Sequence, residues 1–450
     1  MTNEKKIEGF ASKIRRLSDI KNSNPIHIQT ALPCAIDTIT QNLQDCVKNP
    51  EKDYSRTRKL SLKTVLCMII GMGENKLSKE LYEWFGYTPD TASVSAFVQQ
   101  RNKILPNTLE KIFQEFIKLT LPNDLFKGYR LLAVDGSDLR LPTNTKDSFS
   151  SISNNEGEKS YNLVHINAMY DVTNKVYVDA IVQGKKGMNE HNAVVSMVDR
   201  STIIEPSIVL MDRGYESFNT IAHFQEKSWN YLIRAKDSYG IISNLALPNT
   251  NEFDMEITLT LTRRQTKETL KLLKEHPERY RWIQPHTTFD YIKPKESQFY
   301  DLHFRAVRVL ISEGVYETIY TNLDKEMFPP ETIKALYHMR WGIETSFRDL
   351  KYPVGLMSLH SKKMDFMLQE VFAKLIMYNY ASLIARKISV PDGKQVNFSV
   401  AVDISRQYFK NNLSASCVVE LIKKHLSPIR PGRQFERYKR QLAPVSFQYR

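Results

Sequence analysis

The stretch that decides the fold of this chain is Tyr129-Arg130-Leu131-Leu132-Ala133-Val134-Asp135-Gly136-Ser137. Its uninterrupted apolar run predicts a buried strand. An acidic residue, Asp135, ends that run, and a carboxylate in such a place is poorly solvated unless it faces a site or a cation. We therefore expect a core strand that delivers a carboxylate to a functional site.

The segments after this stretch alternate between strands and helices. Strands are predicted at residues 161–170 and 175–182, on either side of a turn at 171–174. A helical segment at 192–198 precedes a short apolar strand at 207–211, which stops at Asp212. Ser217 is expected to cap the next helix, and residues 230–235 predict a further strand. This succession is typical of an α/β fold.

The rest of the chain divides around this core. Residues 1–125 have a helical pattern and form a predicted N-terminal domain. The core, 126–236, resumes at 326–390 after a mostly β insertion at 237–325 that contains a basic segment from Arg263 to Arg281. The helical pattern that returns at Pro330 is expected to run to about residue 388. A basic helical region, 391–450, ends the chain.

Two short helices in the first domain suit a helix-turn-helix. Ser78 is expected to cap the first, which Gly86 ends, and Thr91 or Ser93 the second. The second helix is polar and basic, with Gln99, Gln100, Arg101 and Lys103. A plain pair of packed helices is the alternative.

Charge and composition narrow the class of protein. The formal net charge of +13 over 450 residues favours a polyanionic partner, although a merely soluble basic protein is also compatible with it. The spacing of the four cysteines fits neither a zinc site nor a disulfide framework, so free thiols in a reducing cytoplasm are expected. No signal peptide and no bilayer-length apolar run is recognisable. Interleaved basic and aromatic residues near the end suit either a nucleic-acid backbone or a solvated tail: Arg430, Arg433, Phe435, Arg437, Tyr438, Lys439 and Arg440.

The segment from Pro330 to Tyr352 is predicted to be one amphipathic helix. Its apolar stripe consists of Leu336, Met339, Ile343, Phe347 and Leu350. An adjoining strip carries Tyr337, Arg340, Glu344 and Lys351, with Arg348 at its edge. A carboxylate held among cations suits a divalent metal beside a phosphate. An ordinary exposed face with ion pairs is the alternative.

The spacing Tyr337-x2-Arg340-x3-Glu344-x6-Lys351 resembles the Y-(2)-R-(3)-E-(6)-K signature of the bacterial insertion-sequence transposases of the "IS-four" family. Asp135-Gly136-Ser137 and Asp212-Arg213-Gly214 resemble the surroundings of that family's two aspartates. The resemblance implies an RNase H-like core in which Asp135, Asp212 and Glu344 are catalytic and hold two Mg²⁺ ions, for which Mn²⁺ can substitute. It also implies that residues 1–125 bind the DNA ends, and that Tyr337, Arg340, Lys351, Arg348 and Arg213 contact DNA.

The same resemblance implies a cut-and-paste DNA transposase. Its partners would be double-stranded DNA, namely the terminal inverted repeats and the target, and it would act as a homodimer on paired ends in the bacterial cytoplasm, with no membrane. Some relatives stack a flipped base on a Trp of the insertion; here the corresponding stretch has none, and Tyr316 or Trp282 are the substitutes.

Two other functions remain open from the sequence. One is another RNase H-like metal-dependent nuclease or recombinase, and the other is a degraded transposase that acts as a DNA-binding regulator. A tyrosine recombinase is disfavoured because the constellation is rich in carboxylates, and a histidine-type transposase because no His-x-His pair exists. Asp138, three residues after Asp135, is the competing first carboxylate; on a strand the two side chains point to opposite faces.

Overall fold

The computed structural model describes residues 25–56, 58–141, 143–144, 146–152, 160–236, 240–243, 245–293, 295–296, 298–430 and 445–448. Most of the predicted basic and aromatic C-terminal segment, namely Arg433, Phe435, Arg437, Tyr438, Lys439 and Arg440, lies outside the described residues.

A sheet of ten strands forms the centre of the described chain. Its strands are β1 (Arg130–Leu141), β2 (Ser151–Ile152), β3 (Tyr161–Asp171), β4 (Val176–Gly184), β5 (Ser207–Met211), β6 (Asn230–Arg234), β7 (Phe253–Thr262), β8 (Tyr280–Trp282), β9 (Phe299–Ser312) and β10 (Val315–Thr321). The spatial order is β2-β3-β1-β5-β6-β10-β9-β7-β8, with β4 also paired to β3. Strands β1, β5 and β6 are parallel, whereas β3 is antiparallel to both β1 and β4.

The predicted insertion adds to this sheet rather than forming a separate one. Strand β10 pairs antiparallel with β6, and β9 and β7 follow it outward. Apolar residues from both halves, such as Leu232 and Ile319, belong to one continuous core. The core sheet is therefore braced along its β6 edge by strands that come later in the chain.

Helices flank the sheet and form the N-terminal region. In chain order they are α1 (Pro25–Thr40), α2 (Leu62–Gly71), α3 (Leu77–Trp84), α4 (Val94–Arg101), α5 (Thr108–Thr120), α6 (Glu190–Arg200), α7 (Phe218–Lys227), α8 (Lys267–Glu275), α9 (Pro330–His338), α10 (Trp341–Lys351), α11 (Met364–Ala385), α12 (Phe398–Phe409) and α13 (Ala415–Lys424). Short strand pairs complete the structure: β11 (Ser358–Leu359) with β14 (Ser446–Phe447), and β12 (Lys394–Gln395) with β13 (Ser427–Pro428).

Side-chain caps explain where several helices begin. Ser93 accepts a hydrogen bond from the Ala96 amide at the start of α4, and Ser217 accepts one from the Thr220 amide at the start of α7, as predicted. The prediction for Ser78 is wrong, because α3 already begins at Leu77 and its first residues have no side-chain cap. Thr266 caps α8, a helix in the basic part of the insertion that the sequence pattern did not predict.

The predicted single helix from Pro330 to Tyr352 is divided in two. Helix α9 ends at His338, and α10 starts at Trp341. The amides of Met339, Arg340, Gly342 and Ile343 each bond to the carbonyl three residues earlier, so the junction is tighter than an α-helix. Met339 is consequently exposed, and its place in the predicted apolar stripe is wrong.

The N-terminal helices are fixed to the core by buried charges. Arg101, predicted on an outward DNA-reading helix, is only 1% exposed and forms an ion pair with Glu370 of α11. Lys374 of α11 donates to the carbonyls of Met72 and Gly73 just after α2. Arg101 is therefore a structural anchor between α4 and α11. Separately, none of the helices in the described ranges combines the length and apolarity needed to cross a membrane.

Candidate active site

Asp135 lies in β1 at the point where its parallel neighbour ends. The paired residues of β1 and β5 run from Arg130 with Ser207 to Ala133 with Leu210. Two residues further along each strand come Asp135 and Asp212, so the parallel register brings these two aspartates to the same end of the sheet. The two predicted carboxylates are adjacent for this reason.

Asp212 is held by the turn that follows β5. Its Oδ1 accepts a hydrogen bond from the Gly214 amide at 2.7 Å, which caps the short turn Arg213–Tyr215. Glu216, the next residue, is buried and accepts hydrogen bonds from the amides of Lys236 and Ile241. The Asp212 carboxylate is thus positioned by a turn that is anchored on both sides.

Glu344 approaches from the first turn of α10, where the partial positive charge of a helix N-terminus favours an anion. Arg340, just before that helix, donates to Glu344 Oε1 at 3.0 Å. Its other terminal nitrogen lies 3.8 Å from Asp135 Oδ2. A single guanidinium, which is itself only 7% exposed, therefore contacts two of the three predicted carboxylates.

The charges at this end of the sheet are unbalanced. Burial raises the pKa of Asp135 to about 6, the Gly136 amide and Arg340 oppose the rise, and the negative charges of Asp212 and Glu344 add to it. The charges of both carboxylates act on Asp135, so the three acidic groups lie near one another. A further positive charge beside them would be stabilised by all three.

The other predicted residues of this site divide by exposure. Tyr337 is buried, and burial raises its pKa to about 12. Lys351 is half-buried and its Nζ donates to the Asp138 carbonyl at 2.9 Å. Arg348 and Arg213 are exposed. Only the last two thus present their charge at the surface, whereas Tyr337, Arg340 and Lys351 lie within the framework of the site.

Asp138, the competing carboxylate, belongs to a different cluster. It lies across from His165 in the β1–β3 register, and His165 Nδ1 donates to Asp138 Oδ1 at 2.6 Å. The other ring nitrogen, Nε2, forms an ion pair with Glu190 Oε1 at 3.0 Å. Burial opposes protonation of His165, but the two carboxylates outweigh it and raise the pKa of the ring to about 9. Asp138 is therefore already neutralised.

Sequence reasoning missed His165, Glu190 and Tyr215. Their connection follows from strand register and from the start of α6, which no local pattern shows. The available signal was Gly136, whose lack of a side chain leaves room for His165 and Glu190.

The two candidates for base stacking lie at different distances from β1 in the sheet. Tyr316 lies on β10, three strands from β1, while Trp282 lies on β8, six strands away.

Carboxylates are the ligands that Mg²⁺ and Mn²⁺ prefer, so the donor set of Asp135, Asp212 and Glu344 fits a divalent cation in chemistry. Burial is the main cause that raises the pKa of Asp135, and Asp212 and Glu344 add to it, so a cation bound there would stabilise the ionised carboxylate. Within the described ranges, no three acidic, histidine or cysteine side chains already surround one common point. The guanidinium of Arg340 lies between two of these carboxylates instead.

Comparison with known families identifies the domain that carries these residues. The family described as the transposase DDE domain matches residues 126–380, more than half of the chain, and this range includes Asp135, Asp212 and Glu344. The chain belongs to the transposase DDE domain family. Within that family, the narrower likeness to the "IS-four" subgroup stays a prediction from the spacing of Tyr337 to Lys351 and from the residues around Asp135 and Asp212.

Among solved structures, the chain is similar to a piggyBac transposase synaptic complex with hairpin DNA, determined by cryo-electron microscopy. The two chains are 10% identical, the alignment covers 91% of this chain and 87% of that one, and the TM-score is 0.44. No curated protein matches the sequence.

Proposed function

We propose that this protein is a DNA transposase in which Asp135, Asp212 and Glu344 hold divalent cations and cut the ends of a mobile element. The observation that carries the proposal is the proximity of the three carboxylates: Asp135 and Asp212 are side by side in the parallel register of β1 and β5, and Arg340 contacts both Asp135 and Glu344. The core strands are ordered β4-β3-β1-β5-β6, and β3 alone runs opposite to the other four. This arrangement supports our interpretation of the core as RNase H-like. Membership of the transposase DDE domain family supports the DNA substrate.

The chemistry divides between the cations and the chain. Two bound Mg²⁺ or Mn²⁺ ions would supply activation of water or a DNA 3′-hydroxyl and stabilisation of the leaving oxygen. Asp135, Asp212 and Glu344 are the carboxylates that would hold these ions, and the charges of the last two both act on Asp135. The turn at Asp212 and the first turn of α10 hold these ligands on rigid elements, which keeps their positions fixed.

The DNA contacts follow from exposure. Arg213 directly follows Asp212 on its turn, Arg348 follows Glu344 by one turn of α10, and both arginines are exposed. We assign to them the phosphates next to the cut, because an arginine can grip a phosphate through two parallel hydrogen bonds. Arg340 and Lys351 are assigned to holding the site together, because they are less exposed and bond to Glu344 and to the Asp138 carbonyl, respectively.

A plasmid assay tests this function. Supercoiled DNA that carries the sequences flanking the coding region on both sides would be incubated with the full-length protein and Mg²⁺, Mn²⁺ or EDTA. We expect nicking near the flanking repeats with either metal and none in EDTA, and joining of the released 3′ ends to a second plasmid. Cleavage that persists in EDTA, or cleavage through a covalent protein–DNA adduct, would contradict the proposal.

The same assay separates the nearest alternative. A metal-dependent nuclease of this fold would cut the plasmid without joining ends to the second one, and its cuts would not depend on the flanking sequences. Strand transfer that requires both flanking segments is the result that the transposase proposal predicts.

A further inference from the structure

A cluster of three charged side chains lies directly against the backbone next to Asp135. His165 is 5% exposed and is held between Asp138 of its partner strand and Glu190, the first residue of α6. Because both ring nitrogens face carboxylates, the imidazole is a cation with a fixed orientation at neutral pH. The cluster thus ties together β1, β3 and the start of α6.

Gly136 is the point at which this cluster touches the strand of Asp135. A Cβ atom added at Gly136 would lie 2.7 Å from Glu190 Oε1 and closer still to His165 Nε2. The imidazolium and the carboxylate therefore occupy the place where any other residue would have its side chain. His165 and Glu190 therefore pack directly against the backbone of the residue that follows Asp135.

The cluster also reaches the segment that carries Asp212. Tyr215, at the end of the turn that Asp212 caps, is 1% exposed, and its hydroxyl has no hydrogen-bond partner among the described residues. Besides burial, the charges that act on this hydroxyl come from Glu190, Asp135, Asp212 and Arg340. Its ring packs edge-on against His191, which follows Glu190. Glu190 and its neighbour thus contact both aspartate-bearing segments.

We infer that His165, clamped by Asp138 and Glu190, is a positioning residue that sets the Asp135 carboxylate, through Gly136, in the place where it binds a divalent cation. This inference rests on the proposed role of Asp135 as a cation ligand. Residues behind the ligands of a metal site typically change metal affinity or activity by about ten- to hundred-fold when they are replaced. A cluster that served stability alone would have no such effect.

The chain offers a matched control in a second histidine of the same kind. His223 on α7 is also buried and also lies between two carboxylates, Asp199 at 3.0 Å and Asp290 at 2.9 Å. It joins α6 and α7 to the loop before β9 and makes no contact with Gly136. Replacement of either histidine by glutamine removes an imidazole from between two carboxylates, but only His165→Gln alters the packing against Gly136.

A second pair of variants avoids removing the clamp. Gly136→Ala inserts one methyl group against His165 and Glu190, whereas the same change at Gly187 meets open space. Both chains keep every charged residue, so a difference between them reports the packing at Gly136.

The experiment uses full-length protein and Mn²⁺ as the probe. Free Mn²⁺ is measured by electron paramagnetic resonance during titration of wild type, His165→Gln, His223→Gln, Gly136→Ala, Gly187→Ala and Asp135→Asn, and each melting temperature is recorded. We expect the Mn²⁺ affinity to fall about ten-fold or more in His165→Gln and Gly136→Ala. It should stay within about two-fold of wild type in the two controls, even if His223→Gln lowers the melting temperature as much as His165→Gln does.

The outcomes distinguish the inference from the function on which it rests. Equal Mn²⁺ affinities in His165→Gln and His223→Gln, with Asp135→Asn impaired, would overturn the positioning role and leave the proposed function standing. If Asp135→Asn bound Mn²⁺ as tightly as wild type, the assignment of Asp135 as a ligand would itself be wrong. Should His165→Gln fail to fold, the pair Gly136→Ala and Gly187→Ala decides the question in the same way.

Discussion

Asp135 and Asp138 stand three residues apart in one strand and have opposite electrostatic surroundings. Asp135 shares one guanidinium with Glu344 and lies beside Asp212, and burial with these neighbours raises its pKa to about 6. Asp138 faces a histidine cation, and its hydrogen bond to His165 lowers the pKa of this carboxyl. The nearest cation to Asp135 in the ion pairs described is 3.8 Å away, whereas Asp138 forms a 2.6 Å ion pair with His165.

Under the proposed function, the difference between the two aspartates lets one strand serve two purposes. A carboxylate that is to receive a metal ion must lack a complete set of protein partners, since a saturated one has no lone pairs left to offer. A carboxylate that stabilises the fold needs the opposite, because a buried charge without a partner is costly. Alternation along β1 allows the strand to present one group of each kind.

The largest expected effect comes from exchanging these two aspartates for asparagine. Asp135→Asn should reduce plasmid cleavage by at least about a thousand-fold, because loss of a ligand exceeds the effect of the residues behind it. Asp138→Asn should reduce it by about ten-fold. Cleavage rates at saturating Mg²⁺ measure both, with DNA binding by gel shift as the control. If Asp138→Asn were inactive and Asp135→Asn active, Asp138 and not Asp135 would be the cation ligand.

The second effect concerns pH and the His165 cluster. Because the folded-state pKa of His165 is raised from 6.5 to about 9, its stabilisation is complete below pH 6.5 and is lost as pH rises through 9. The loss amounts to about 3 kcal/mol at most. Urea unfolding of wild type and His165→Gln at several pH values measures it. A stability difference that does not narrow between pH 6.5 and 10 would contradict the cationic clamp.

The third prediction concerns the effect of the Arg340 guanidinium on Mn²⁺ affinity. Arg340→Ala frees Asp135 and Glu344 from a positive charge that lies within 4 Å of both. Since that charge repels a divalent cation, we expect the Mn²⁺ affinity of the protein without DNA to rise several-fold. The electron paramagnetic resonance titration described above measures the change, with Arg348→Ala as the control. An unchanged affinity in Arg340→Ala would mean that the guanidinium does not compete with the ion.

The smallest effects separate Lys351 from Arg348. Lys351→Met should lower the free energy of unfolding by about 1 kcal/mol, because it removes the hydrogen bond to the Asp138 carbonyl. Arg348→Ala should leave stability unchanged and reduce the slope of log affinity for DNA against log salt by about one. Fluorescence anisotropy with labelled duplex DNA at several salt concentrations measures the slope. If Lys351→Met reduced the salt slope and left stability unchanged, Lys351 would be a residue that contacts DNA.

Much of the core was predictable because its signals are local. The apolar runs at Leu131–Val134 and Ser207–Met211 become β1 and β5, and each is followed at once by an aspartate. Ser217 caps its helix as the sequence predicts. The parallel pairing of these two strands, which brings Asp135 and Asp212 together, then follows from the α/β arrangement.

The rest depended on contacts between distant parts of the chain. Arg101 looked like an outward basic residue, but its partner Glu370 lies 269 positions later. The break between α9 and α10 could not be predicted from the spacing of apolar residues. The backbone stays helical there, and only the hydrogen bonds change, from four residues back along the chain to three. His165 contacts Asp138 because of the strand register and Glu190 because of the position of α6. Neither contact can be predicted from a short stretch of sequence.

The most direct test of the metal site is a change of ligand at each aspartate of β1. Asp135→Cys replaces a hard oxygen ligand by a softer sulfur, which Mn²⁺ accepts more readily than Mg²⁺ does. We predict that Asp135→Cys cuts the flanking-repeat plasmid in Mn²⁺ and not in Mg²⁺, and that Asp138→Cys shows no such preference relative to wild type. Equal activity of Asp135→Cys in the two metals, or the Mn²⁺ preference at Asp138→Cys instead, would contradict the assignment of Asp135 as the cation ligand.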